Sequence, residues 1–536
     1  MTTSAPVQKA VALIFAAGLA RVLNPMRILS LLLLLVAAGA VSAAVPGRTR
    51  PNIVVILADD LGYGDPGCYN PERGRIPTPH LDRLAREGAR FTDGHASSAA
   101  CSPSRYTLLT GRYHWRTRLQ SGIVDLWERP LIAPDRLTIA GLARRQGYRT
   151  AAFGKWHLGW DWPLEPGDLA ALRGLGGRTG RSRDALVTEA TAEHRRVWSR
   201  VFSQPIAGGP ITRGFEHYFG TDVPNWPPYS FIADDRTVGV PSTLLPARLM
   251  DGFRASFQGP ALPGWEFEPV LDTTIARAEA YVAERARRAE PFLLYVALTT
   301  PHTPISPSRA WQGRSGLNDY ADLVMETDDA VGRLLAALDR HGLARDTFVL
   351  CTSDNGYETA IGIKPLEAMG HFPSGPLRGY KRDAWEGGHR VPFLVRWPGV
   401  VPAGQVSGAL VHQADLMATL AEIWGETLPA DAGEDSFSLL PLWRDGRAEI
   451  RAHAVSCGVN GLQAVREGPW KLLCGRTPRL HHLGEDLAEQ HDRAAAEPAR
   501  VQAMLALRER LITEGRSTPG PRRENDVPVR RLPAGG

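Results

Sequence analysis

Helical segments alternate along this chain with short apolar runs, each emptying into a polar loop, and no other feature narrows the accessible folds as much. Residues 52–57 form a continuous apolar run, as a strand buried on both faces of a parallel sheet would. The run stops at Asp59 and Asp60. Residues 78–91 read as a capped helix with Leu81, Leu84, Ala85 and Gly88 on one side, and residues 137–146 as another, ahead of a strand at 148–153. The pattern returns where a helix at 272–289 precedes the run 292–298 and a helix at 319–341 precedes the run 347–351. This alternation predicts an α/β domain. In open α/β sheets the ligand site lies beyond the carboxyl ends of the strands. Four such ends carry Asp59/Asp60, Lys155/His157, His302 and Asp354/Asn355.

At 536 residues the chain has room for a large core and a second, smaller domain. Residues 51–445 form the predicted main domain, ending near the run 435–442. Residues 446–515 form a predicted small C-terminal α+β domain, in which 464–466 and 470–473 pair as antiparallel strands ahead of a helix at 498–514. The tail 516–536, with Pro519, Pro521, Arg522, Arg523, Arg530 and Arg531, is predicted to be disordered. Residues 162–209, rich in Gly, Arg and Ala without a clear period, read as an insertion or lid.

Charge and cysteine content narrow the setting. The formal charge of +5 is inflated by Lys9, Arg21, Arg27, Arg48 and Arg50, with no acidic residue in 1–50. Arg27, the apolar residues 31–36 and the small residues 41–44 form a secretory signal, with Met26 as an alternative start. Cleavage after Ala43 removes three of these cations and leaves +2, so nucleic acid is not an expected partner. The chain is read as exported, periplasmic or secreted; a longer uncleaved anchor is the alternative, and no cysteine follows the apolar run to take a lipid. Five cysteines are too few for a disulfide scaffold, although Cys457 and Cys474 could bridge in an oxidising compartment. Cys351 lies within a predicted buried strand, as a small apolar filler.

Asp59, Asp60, Asp354 and Asn355 offer only oxygen ligands, which suits a hard cation such as Ca²⁺ or Mg²⁺ rather than zinc. Either pair alone reads more readily as a loop cap after a strand than as a metal site. Cys101 opens a predicted helix, with Pro103 where a first turn tolerates it and a helix start that welcomes an anion.

Cys101-Ser102-Pro103-Ser104-Arg105, with residues 57–65 upstream and 352–356 downstream, resembles the formylglycine-dependent sulfatases, from about Pro51 to Asp492. The resemblance implies an alkaline-phosphatase-like α/β fold, with a large, mostly parallel sheet flanked by helices. It implies that a formylglycine-generating enzyme oxidises Cys101 to an aldehyde, whose hydrate attacks the sulfur of a sulfate ester with one hydroxyl and expels sulfate with the other. By the same resemblance Asp59, Asp60, Asp354, Asn355 and the modified Cys101 hold one metal ion, calcium first and magnesium second. Arg105 steadies the hydrated aldehyde. Lys155 holds a sulfate oxygen, and His157 takes the proton during sulfate release. His302 and Lys381 bind sulfate and protonate the leaving oxygen; Lys364 and Arg378 lie close enough in sequence to compete with Lys381.

Other residues carry weaker expectations. His371 is a candidate substrate contact. His389 and Arg390 read as loop packing, and His481-His482 as surface. Asp222, Asn225, Trp226, Pro227, Pro228 and Tyr229 line a pocket or simply pack. The expected activity is hydrolysis of an aryl or carbohydrate sulfate monoester. Its rivals are a phosphate or phosphonate ester hydrolase on the same fold, a non-catalytic binder of sulfated glycans if Cys101 stays unmodified, and a transferase using the same intermediate. No stable membrane anchor is expected, and the sequence leaves natural substrate and oligomeric state open.

Overall fold

The computed structural model describes residues 50–172, 187, 189–252 and 254–532. The predicted signal, residues 1–43, lies outside them, as do residues 173–186 of the predicted insertion. The main sheet and a small ribbon are built from β1 (Asn52–Asp59), β2 (Ala89–His95), β3 (Arg149–Lys155), β4 (His217–Thr221), β5 (Ile232–Ala233), β6 (Arg236–Thr237), β7 (Thr243–Leu244), β8 (Pro260–Ala261), β9 (Phe292–Pro301), β10 (Thr347–Ser353), β11 (Phe393–Arg396) and β12 (Gln405–His412). Ten of these form one sheet in the order β12-β2-β11-β10-β1-β9-β3-β4-β5-β6, with β7 and β8 apart. The central pairs β10–β1, β1–β9, β9–β3 and β3–β4 are parallel, while β11 and β5 run against their neighbours. The expected alkaline-phosphatase-like sheet is therefore present, large and mostly parallel.

Both faces of the sheet are covered, which is why its central strands are continuously apolar. On one face Ile53, Val55 and Leu57 pack against α2 (Cys101–Thr110), α3 (Ile139–Arg145), α4 (Ala192–Phe202) and α7 (Asp415–Ile423). On the other, Val54, Ile56 and Ala58 meet α1 (Pro79–Glu87), α5 (Val270–Arg285) and α6 (Asp319–Arg340). α6 has clear end signals: the Asn318 side chain accepts from the Ala321 amide, Asp319 and Asp322 occupy its first turn and Arg340 its last.

The helix expected over 78–91 stops at Glu87, because residues 89–95 are recruited as β2 between β11 and β12. The 162–209 stretch is not simply a lid. Trp162, Trp198, Val201 and Phe202 are buried in the main core, with Trp127 packed edge-on to Trp162.

The C-terminal sheet, β13 (His453–Cys457), β14 (Gln463–Glu467), β15 (Trp470–Leu473) and β16 (Arg479–His482), is antiparallel throughout. α8 (Pro498–Glu514) covers it with Val501, Met504, Leu507 and Leu511. This small sheet and helix belong with the main sheet to one compact unit, residues 50–536. Cys457 pairs through its backbone with Ser97 and Ala99, just ahead of α2. No disulfide joins Cys457 to Cys474; both thiols are free. β14 lies between them, since Cys457 pairs with Gln463 and the Cys474 amide donates to the Gln463 carbonyl. Two strand spacings of about 4.8 Å exceed the reach of a disulfide.

The predicted disorder of the tail is also overturned for residues 516–532. Pro and Arg make poor core, but this segment needs only one anchor: Val529 is buried in the cluster that contains Trp115 and Leu511. The Gln120 side chain grips the tail at both ends, donating to Pro528 O at 2.9 Å and accepting from Arg530 N at 2.7 Å. The Asp526 amide donates to the Arg116 carbonyl at 2.8 Å. Truncation after Gly515 is expected to destabilise the protein by about 2–4 kcal/mol, from one buried valine and a few hydrogen bonds. A thermal melt unchanged by the deletion would refute this strap.

Candidate active site

The parallel register of β1 and β10 pairs Leu57 with Thr352 and Ala58 with Ser353. Asp59/Asp60 and Asp354/Asn355 therefore leave the sheet side by side. Asp60 turns through a left-handed backbone (φ 65°), and its amide donates to Asp354 Oδ1 at 3.1 Å. Asn355 Nδ2 donates to Asp60 Oδ1 at 2.7 Å, closing the two loops on each other.

Cys101 is the first residue of α2, after the extended Ala100, and Pro103 sits in the first turn. The whole helix is buried, so it has no solvent face. Arg105 lies one turn beyond Cys101 on the same side. Its Nε and Nη2 donate to Asp354 Oδ2 at 3.0 and 2.8 Å, Nη2 lies 3.3 Å from Asp59 Oδ1, and Nη1 donates to the Lys155 carbonyl at 3.1 Å.

Two lysines complete the charge pattern. Lys155, at the end of β3, donates to Asp59 Oδ2 at 2.7 Å, and Lys381 donates to Asp60 Oδ2 at the same distance. Lys381 also lies 3.7 Å from Glu358, which Arg382 grips through two bonds of 2.5 and 2.6 Å. Burial alone would raise the Asp59 carboxyl, but Lys155, His302, Arg105 and Lys381 hold it well below the usual carboxylate range. Burial works against the Lys381 ammonium, but Asp60, Cys101, Glu358 and Asp59 together outweigh it, so the lysine is held above its ordinary value. Burial pushes the unmodified Cys101 thiol up to about 12.

The two histidines are held as opposite tautomers. His157 lies 3.1 Å from the Val124 carbonyl through Nε2, so that nitrogen carries the proton. Its buried Nδ1 has no hydrogen-bond partner among the described residues. His302 instead meets the Thr303 carbonyl through Nδ1 at 2.6 Å, leaving Nε2 at 3.7 Å from Asp60 Oδ2. Burial, then the Lys155 charge, lowers both rings, His157 well below the ordinary imidazole value and His302 to about 4. Both are neutral at pH 7.

Cys101, His157, His302 and Lys381 line one cavity of about 690 Å³, walled by Asn225, Trp226 and Phe257 on one side and Glu358, Arg382 and Val459 on another. Sequence reading missed Arg254, Phe257, Glu358, Arg382 and Val459. Only the adjacency of Glu358 to Asp354 and of Arg382 to Lys381 hinted at two of them. Asn225 and Trp226 line the cavity, whereas Tyr229 is buried and donates to the Asn225 carbonyl. His371, a candidate substrate contact, does not line the cavity: it is fully buried, with Nε2 2.8 Å from Asp65 and Nδ1 accepting the Arg75 amide. His481, expected at the surface, is buried edge-on to Trp385. His389 and Arg390 pack with His95, Glu386 and Lys471 in a buried ionic cluster outside the cavity. Arg378 lies over the Trp385 ring and donates to the Glu489 carbonyl, away from the cavity.

The donor set fits a hard cation. Among the described residues buried Asn355 Oδ1 has no hydrogen-bond donor and Asp59 Oδ1 has only the 3.3 Å ion pair with Arg105, although the other oxygens of both pairs are occupied. A poorly satisfied buried oxygen is costly, and both lie on the paired loops. Ligand atoms of Asp59, Asp60, Cys101 and His302 lie within 4.8 Å of one another.

The chain resembles known proteins along most of its length. The profile of the family described as Sulfatase matches residues 51–426. An N-acetylgalactosamine-6-O-sulfatase of Bacteroides thetaiotaomicron is 31% identical over 495 residues, covering 87% of this chain and 93% of its own. Human arylsulfatase A is 34% identical, covering 81% of this chain and 76% of its own. A sulfatase structure from work on glycosaminoglycan metabolism by Bacteroides thetaiotaomicron superposes with a TM-score of 0.71 at 27% identity, covering 87% of this chain and 99% of that one.

Proposed function

This chain belongs to the sulfatase family, and with sulfate ester hydrolysis as its activity, we propose that the reaction runs on a formylglycine made from Cys101 and a calcium ion. The observation that carries this reading is Cys101 and Arg105 on one turn of a buried helix, beside two acidic pairs and two lysines. Asp59, Asp60, Asp354, Asn355 and residue 101 would hold the ion. When bound, it supplies Lewis acidity that polarises sulfate and favours deprotonation of the attacking hydroxyl. The formylglycine hydrate supplies two hydroxyls on one carbon, one to attack sulfur and a second to expel sulfate.

The remaining work falls to the chain's own side chains. Arg105 keeps residue 101 and Asp354 in register. Lys155 and Lys381 each give one N–H to a carboxylate and retain donors for sulfate oxygens. His157, neutral with Nδ1 free of protein partners, accepts the proton lost during sulfate release. Lys381, beside Asp60, binds sulfate and delivers a proton to the leaving oxygen, while His302 faces the same carboxylate through its unprotonated Nε2. The substrate is an aryl or carbohydrate sulfate monoester. The near full-length match to an N-acetylgalactosamine-6-O-sulfatase makes 6-sulfated N-acetylgalactosamine the first sugar to compare with an aryl sulfate. Residues 27–44 support export to the periplasm or medium, and a formylglycine-generating enzyme acts on the chain during maturation. No helix among the described residues is long and apolar enough to cross a membrane.

Peptide mass spectrometry on the fragment containing Cys101, from protein made with a formylglycine-generating enzyme, tests the reading. Formylglycine at that position is expected, and an unmodified thiol in active enzyme would overturn it. Chelation of divalent metal is expected to lower activity, with calcium restoring it and raising the melting temperature by mass action. Full activity in metal-free enzyme would contradict the ligand assignment.

A further inference from the structure

Asp222, which the proposed chemistry does not use, sits directly behind His157. It follows β4, whose register pairs Thr221 with Lys155, so it leaves the sheet beside the turn that carries His157. Its Oδ1 accepts the His157 backbone amide at 3.1 Å. That amide belongs to a residue with φ 52°, a left-handed conformation disfavoured for any side chain with a Cβ. A glycine adopts such a turn freely, as Gly159 does two residues on (φ 82°); a histidine has to be held there.

Three contacts hold it. The Asp222 carboxylate fixes the main chain, the Val124 carbonyl takes Nε2–H at 3.1 Å, and the Trp226 ring lies edge-on at 5.4 Å. The Val124 loop is itself anchored, because the Val124 amide donates to Ser102 Oγ at 3.1 Å. Burial pushes the Asp222 carboxyl up to about 6 against the Trp160 indole, the His157 amide and the more distant Lys155 and Arg105 charges. Among the described residues it has no ion-pair partner, so its place answers to the Trp160 indole and the His157 turn.

We propose that Asp222 is a positioning residue for sulfate release, holding the His157 main chain in its left-handed turn so that the imidazole stays between the Val124 carbonyl and the cavity. This rests on the reading of His157 as the proton acceptor. Asp222→Ala is expected to lower kcat about 10–100-fold, the scale of a small misplacement of a reacting group, with KM changed less than about two-fold. Asp222→Asn, which keeps an acceptor oxygen, is expected to stay within about three-fold of wild type. Asp222→Glu, which keeps charge but displaces the acceptor, is expected to fall with alanine and serves if the alanine variant does not fold. In a double-mutant cycle, Asp222→Ala is expected to cause no further loss once His157→Ala is present. Wild-type kcat in Asp222→Ala or Asp222→Glu beside a dead His157→Ala, an asparagine variant as impaired as alanine, or fully additive losses would each overturn the proposal. Wild-type turnover in His157→Ala would instead overturn the parent reading.

Discussion

Purified Cys101→Ala protein is expected to lose turnover of an aryl sulfate by ~10⁴-fold or more, the scale seen when a catalytic nucleophile is removed, while folding normally. Cys101 is 2% exposed and begins a helix that is buried along its whole length. Alanine suits a helix better than cysteine does, and the lost sulfur leaves only a small void, so the stability change should stay near about 1 kcal/mol. Activity and stability therefore separate at this position. Cys101→Ser sharpens the test. A serine offers one hydroxyl at the same place and can take sulfate once, but has no second hydroxyl to expel it. At most one equivalent of alcohol is expected per enzyme, read as a burst without steady turnover. Normal activity in the alanine variant would remove Cys101 from the chemistry altogether.

What the sequence made legible follows range of interaction. Asp59/Asp60, Lys155/His157, His302 and Asp354/Asn355 could be placed together because each ends an apolar run, and parallel strands present their carboxyl ends on one side. Long-range recruitment could not be read. Residues 89–91 read as the end of a helix and instead open a strand, 89–95, because β11 and β12, some three hundred residues later, pair with it. The tail 516–532 has the composition of a disordered segment and is ordered by Gln120 and the Trp115 cluster, partners that no local pattern points to. His371 resembled a site residue by its neighbourhood in sequence, and its buried bond to Asp65 takes it away from the cavity. The substrate-facing wall was the least legible part. Arg254 and Phe257 come from one loop and Val459 from the turn between β13 and β14, some two hundred residues later, where Cys457 pairs beside the approach to Cys101.

Lys155→Ala is expected to abolish turnover and, unlike Cys101→Ala, to weaken the fold of metal-free protein. Asp59, Asp60 and Asp354 face Lys155, Lys381 and Arg105 at ion-pair distance, all with side chains at most 7% exposed. Removing the lysine leaves the Asp59 carboxylate buried with only the longer Arg105 contact at 3.3 Å. Breaking a buried pair from one side costs about 3–5 kcal/mol, several times the expected effect at Cys101. The pH dependence fixes the sign. In the wild type the Asp59 carboxyl is held below its ordinary value of 3.8, so its stabilising contribution is full above that pH and is lost as pH falls through the depressed value. The gap in melting temperature between wild type and Lys155→Ala should therefore be full at neutral pH, begin to close below 3.8 and vanish only as pH falls through the depressed value. Calcium, by placing positive charge on the same oxygens, should narrow the gap without restoring activity, because the sulfate oxygen still lacks its donor. A variant that stays inactive in calcium while regaining stability would separate the two duties of this lysine, and a variant active at wild-type rates would end its assignment to sulfate binding.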